Sequence, residues 1–164
     1  MTDVELLTEK VNAIAAFMMA DTPQERNEAR IMFNETQRRN TYDRNESLDA
    51  DGITRKVLLE LGAPDHLVGH PYVVEAVVMS LEDRYYINNV TFGLYPHIAA
   101  KFDTTASRVE RGIRHLIEVT WLRGDMDTLT RYFGNTIDPG RGKPTNTEFI
   151  ARLANVVREQ MKRN

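Results

Sequence analysis

From Ile98 to Arg111 the chain reads Ile-Ala-Ala-Lys-Phe-Asp-Thr-Thr-Ala-Ser-Arg-Val-Glu-Arg. Three of these side chains have the chemistry to read base edges. Arg108 and Arg111 offer planar forks that match guanine O6 and N7, and the Glu110 carboxylate can accept from cytosine N4. Thr105 and Ser107 supply hydroxyls beside backbone amides, the groups that meet DNA phosphates. The same residues also fit a solvated helix face laced with ion pairs, since Glu110 and Arg114 are spaced for an i, i+4 attraction.

The spacing around them is that of a helix-turn-helix. Such a unit needs a small residue where its helices touch, and Ala99 supplies it. Four residues later it needs a tight turn, where Asp103 stands; Asp tolerates turn conformations, though glycine is commoner. Six further on it needs an apolar residue facing back, and Val109 is there. Phe102, Ile113, Leu116, Ile117 and Trp121 extend that apolar stripe. Arg108, Glu110, Arg111, Arg114, His115 and Glu118 fall on the other face. The first turns of a recognition helix are the part that enters the major groove.

These residues must be positioned by other helices. Thr2-x-x-Glu5 is a capping box that opens a helix with Val4, Leu7, Val11, Ile14 and Met18 on one stripe. Asp21-Thr22-Pro23 breaks the chain and opens a second, more polar helix over about 23–39. Residues 1–40 therefore read as a helical hairpin whose stripe packs on the rest of the chain or on a second copy. Residues 41–50 are polar without periodicity and read as a linker. Further helices are predicted at about 51–61, stopped by Gly62, and at about Pro71–Arg84, with Val73, Val74, Val77, Val78 and Leu81 inward. The helix-turn-helix predicts helices at about 95–102 and 105–123. A short helix at 125–133 stops at Gly134. A Gly/Pro-rich loop at 135–144 precedes a helix that Thr145-x-x-Glu148 opens and that runs to about Met161.

The composition narrows the function classes. With 164 residues and no cysteine, the chain can bury a core but has no disulfide, thiolate metal site or thiol nucleophile. The formal net charge of -3 is unlike that of a strongly basic DNA reader. The excess is confined to residues 1–46, while 47–164 balance, so a local basic face remains available within a Debye length of about 8–10 Å. The apolar run 13–20 is too short to span a bilayer, and the acidic N-terminus does not look like an export signal. His66 and His70 are four apart, but Pro71 and the lack of a third ligand argue against zinc. Gly140-Arg141-Gly142-Lys143-Pro144-Thr145 lacks the Ser or Thr that a phosphate loop needs after its lysine. No set of side chains demands catalysis, so neither an enzyme nor a cofactor is expected.

From about Ser47 to Arg158 the chain resembles the C-terminal effector domain of the stage zero sporulation protein A family, response regulators of endospore formation. The resemblance lies in Leu94-Tyr95-Pro96-x-Ile98-Ala99, in Phe102-x-Thr104-Thr105-Ala106-Ser107-Arg108-Val109-Glu110-Arg111-x-Ile113-Arg114-His115, and in Ile117-Glu118-Val119. It continues in Phe133-Gly134 and in Lys143-Pro144-Thr145-Asn146-x-Glu148-Phe149-Ile150. It implies a six-helix fold and binding to a box related to TGTCGAA, often in tandem copies. Arg108, Glu110 and Arg111 match the family's base readers. Thr105, Ser107, Arg114, His115 and Lys143 match its phosphate side. Gly112 and Leu116 depart from the family's usual small residues, and a mid-helix glycine costs up to about 1 kcal/mol against alanine. Residues 1–40 show no strand–helix alternation, so the family's receiver domain is not expected in them.

The expectation is thus an all-α chain: a hairpin at 1–40, a linker at 41–50 and a six-helix DNA-binding effector domain at 51–164. Its expected role is that of a cytoplasmic, sequence-specific, sporulation-related transcription regulator. The expected partners are double-stranded DNA, a second copy joined through the hairpin or on tandem boxes, and RNA polymerase, with no membrane. The competing expectation is an interaction module that binds a homologous regulator or RNA polymerase without reading DNA.

Overall fold

Two reciprocal caps set the first two helices. The Thr2 amide donates to Glu5 Oε2 at 2.7 Å and the Glu5 amide donates to Thr2 Oγ1 at 3.2 Å, opening α1, Asp3–Met19. The Asp21 and Thr22 amides both donate to Glu25 Oε2, and Thr22 Oγ1 accepts from the Glu25 amide. This second cap opens α2, Pro23–Glu60. The structure, a computed structural model, describes residues 2–134, 136–138 and 140–163, without the side chains of residues 3, 6 and 34–48.

The length of α2 corrects one expectation. Residues 41–50, read as a linker, are helical and lie inside it. Low apolar content had suggested a break, but no proline or glycine stands between Pro23 and Gly52, and Arg, Glu and Gln are good helix formers. By its internal contacts the chain divides into two compact units, Met1–Leu48 and Asp49–Asn164.

In the first unit, α1 and the start of α2 bury Ala13 and Ala29. The stripe Val4, Leu7, Val11, Ile14 and Met18 is exposed along its whole length.

The second unit holds the core. After the end of α2 come α3, Gly69–Glu82, and α4, Arg84–Asn88. A π-helical turn, Val90–Leu94, leads into α5, Tyr95–Lys101. Then follow α6, Ala106–Arg123, α7, Met126–Phe133, and α8, Asn146–Met161. The described residues contain no strand, so the fold is all-helical. The short α4 and the π-helical turn were not anticipated. Asp83 starts α4 by accepting from the Tyr85 amide at 2.8 Å.

α3 is the buried axis of this unit, packed against both α6 and α8. Its residues Tyr72 to Val74 and Ala76 to Ser80 are buried, so the valine run forms a core helix and not a strand. Leu81 is only partly buried. Three aromatic rings lock the C-terminal half of α6 to α7 and α8. Trp121 meets Phe133 edge-on at 5.1 Å, and Phe133 stacks on Phe149 at 5.3 Å. Buried hydroxyls are satisfied within their own helices, Thr54 on Ala50 O, Ser80 on Ala76 O and Thr120 on Leu116 O. No buried side-chain polar atom among the described residues lacks a partner.

Candidate nucleic-acid interface

α5 and α6 are the two helices of the expected helix-turn-helix, and the turn between them follows from local chemistry. Asp103 takes a positive φ of 49°. The Thr104 amide donates back to Ala99 O at 2.9 Å, which closes a Schellman-type end on α5. Thr105 then caps α6, its Oγ1 accepting from the Arg108 amide at 3.3 Å. Ala99 and Val109 are buried where the helices meet, and α5 packs on α6. Ile113, Leu116 and Ile117 carry the buried stripe onward. Phe102 does not join it as expected: it is 37% exposed at the rim, edge-on to Tyr72 at 5.2 Å.

At the Gly69–Gly112 crossing α6 meets α3 backbone to backbone. A Cβ on Gly69 would lie 2.1 Å from the Gly112 carbonyl oxygen, so only glycine lets the two helices approach this closely. A Cβ on Gly112 would meet the Tyr72 ring at 3.2 Å. Leu116 fills the space one turn further on and is fully buried.

The outer face of α6 carries the predicted residues. Thr105, Ser107, Arg108, Arg111, Arg114 and His115 are exposed, and Glu110 is half-buried. Among the described residues the Arg108 and Arg111 guanidiniums make no hydrogen bond or ion pair. Glu110 and Arg114 do pair, as the helical spacing allowed. No acidic residue occupies the first turn of α6, so its positive end is not neutralised from within. Lys143 stands beside this face, its Nζ at 3.2 Å from Glu118 Oε1.

Asn146, at the start of α8, is a positioning residue that the sequence did not single out. Its Nδ2 donates to Tyr95 Oη and to the Glu110 carbonyl oxygen, each at 3.0 Å. One amide group therefore ties α5, α6 and α8 together beneath the exposed arginines. Burial holds the Tyr95 phenol above its ordinary range, with the Asn146 bond acting against that and the Glu110 charge adding to it. Tyr95 is therefore un-ionised at neutral pH and keeps its oxygen available to Asn146.

The Gly/Pro-rich loop reaches α8 with Asn135 and Pro139 outside the described residues. Its Arg141 lies 4.0 Å from both Asp138 and Glu148. The cap expected at Thr145 is present, reciprocal with Glu148. His66 is exposed, whereas His70 is buried at the start of α3. No described helix is long and apolar enough to cross a membrane.

A sequence-family model described as sporulation initiation factor Spo0A C terminal matches residues 54–157. The family is one of DNA-binding transcription-regulator domains. The match spans α3 to α7 whole, the last residues of α2 and most of α8.

Proposed function

The chain belongs to the Spo0A C-terminal family, and from that premise we propose that it reads a TGTCGAA-like box with the N-terminal half of α6. In this reading Arg108 and Arg111 take guanine edges and Glu110 takes a cytosine amino group. Thr105, Ser107, Arg114, His115 and Lys143 hold the flanking phosphates. The single observation that carries the reading is that Arg108 and Arg111 are exposed and, among the described residues, unpaired in the first turns of a capped helix. Guanidiniums without a protein partner are free to form bidentate contacts without first breaking an ion pair. Arg114 and Lys143 differ, because each must leave or share a carboxylate when a phosphate arrives.

The role is regulatory rather than catalytic, and the site of action is the cytoplasm. RNA polymerase is the proposed downstream partner once the protein is on its box. One module of this size buries only about 600–1,000 Å² on DNA, so a second copy on a tandem box would add needed affinity.

The test is a gel-shift titration on a duplex carrying TGTCGAA beside a scrambled duplex, at fixed salt. Tighter binding to the box is expected, with the preference lost in Arg108→Ala and in Arg111→Ala. Losing one bidentate contact is worth about 1–3 kcal/mol, so affinity for the box should fall roughly 5- to 150-fold. Equal, weak binding of the native protein to both duplexes would sink the base-reading proposal. A stable complex with a homologous regulator or RNA polymerase would then select the interaction-module reading.

A further inference from the structure

The face left unexplained by DNA reading lies in the first unit. Val4, Leu7, Val11, Ile14 and Met18 are spaced 3, 4, 3, 4 along α1, a strict a/d heptad pattern. A stripe with this a/d spacing is the geometry of a helix paired with another helix. Among the described side chains of α1 the buried one is Ala13, on a different face, and the five seam residues are between 48% and 80% exposed.

The area is appropriate to a dimer. At typical side-chain areas the seam together with the flanking Phe17 presents roughly 600–700 Å², above the largest apolar patch of most monomers, about 300–600 Å². Two copies covering one another would bury about 1,200–1,400 Å², the lower part of the range for stable specific interfaces.

The charge pattern selects the direction. The first half of α1 carries Asp3, Glu5, Glu9 and Lys10, whereas Val11 to Ala20 contains no ionisable side chain. Parallel pairing would set the two acidic halves against each other and align the helix dipoles. Antiparallel pairing lays each acidic half over an uncharged one and opposes the dipoles. The seam is centred on Val11, so a two-fold axis there matches apolar to apolar along both helices.

We propose that α1 is a self-association element that joins two copies of this chain through an antiparallel α1–α1 seam. The occupant is a second copy, and the pairing needs neither DNA nor the effector unit. It therefore stands or falls separately from base reading.

The test is the mass of the full chain in solution without DNA, by sedimentation equilibrium at micromolar concentrations. The native protein is expected at twice 18.8 kDa, and Val11→Glu at 18.8 kDa. A native monomer at all concentrations, or a dimer that persists in Val11→Glu, overturns the proposal. Because a glutamate in the seam could loosen the hairpin, a second measurement avoids it. The chain has no cysteine, so single cysteines can be placed at will. Val11→Cys should cross-link to itself with a short bis-maleimide. Val4→Cys and Met18→Cys should each cross-link poorly alone and efficiently when mixed. Efficient self-linking of Val4→Cys with none in the mixture means a parallel pair and overturns the proposed geometry.

Discussion

In the proposed complex Glu110 has two jobs, and they pull in opposite directions. Its carboxylate pairs with Arg114 in the free protein, and in the proposed complex it takes a cytosine amino group. It also puts a negative charge on the face proposed to approach phosphates. Glu110→Gln should therefore tighten binding to a scrambled duplex while reducing discrimination for the box by about 1–3 kcal/mol, measured as the ratio of the two affinities. Lys143 is expected to act on phosphate alone. Lys143→Gln should weaken both duplexes alike and lower the slope of log K against log salt by about one. Asn146 is different again, because its two bonds are to protein. Removing it leaves the partly buried Tyr95 hydroxyl and the Glu110 carbonyl short of a donor, so Asn146→Ala should cost about 1–3 kcal/mol in a urea melt. The arginines were legible in the sequence because base chemistry and helical spacing lie within a few residues. Asn146 was not, because its partners are 36 and 51 positions away and only the packed fold brings them to it.

Among the helices, those with a written start or stop were legible. α6 begins one residue after its expected position because Thr105 is the cap, and α8 follows its capping box in the same way. α2 was misjudged because polarity was taken for a break. The apolar stripe of α1 was found, but a periodic pattern does not say what covers it. The Gly69–Gly112 crossing was invisible, since neither glycine reports its partner. That crossing predicts that Gly69→Ala destabilises the effector unit by about 3 kcal/mol or more, read from the urea midpoint, because the new methyl would strike backbone that cannot swing aside. The start of α3 also carries a pH response. Burial holds the His70 imidazole below its ordinary range, with the Arg55 charge adding to this and Asp65 and Asp51 opposing it. The folded state then binds fewer protons than the unfolded one. The stabilisation is complete above the ordinary imidazole range, near pH 6.5, and is lost as the pH falls from there through the lowered value. Urea midpoints of the native protein should drop over that interval, and those of His70→Phe should drop less.

At the level of the molecule, a net charge of -3 and a DNA-binding family are compatible because charge is sorted rather than averaged. α6 carries four arginines against two glutamates, while the acidic excess sits in residues 1–46. In the proposed complex α6 is what meets phosphate, so affinity should fall steeply with salt despite the acidic whole. The chain's two units also divide the labour in the proposals above, one presenting α6 and the other pairing copies. The glycine contact under α6 bears on how such a reader and a duplex share the work of fitting. A helix resting on side chains can tilt by rotamer adjustment; one resting on its neighbour's backbone has no such slack. Accommodation is then left to the nucleic acid, whose grooves widen and whose flexible pyrimidine–purine steps bend at a sequence-dependent cost of about 1–6 kcal/mol. Affinity should accordingly vary with the base steps flanking the box, at positions no side chain touches, and a stiff A-tract placed there should behave as a mismatch.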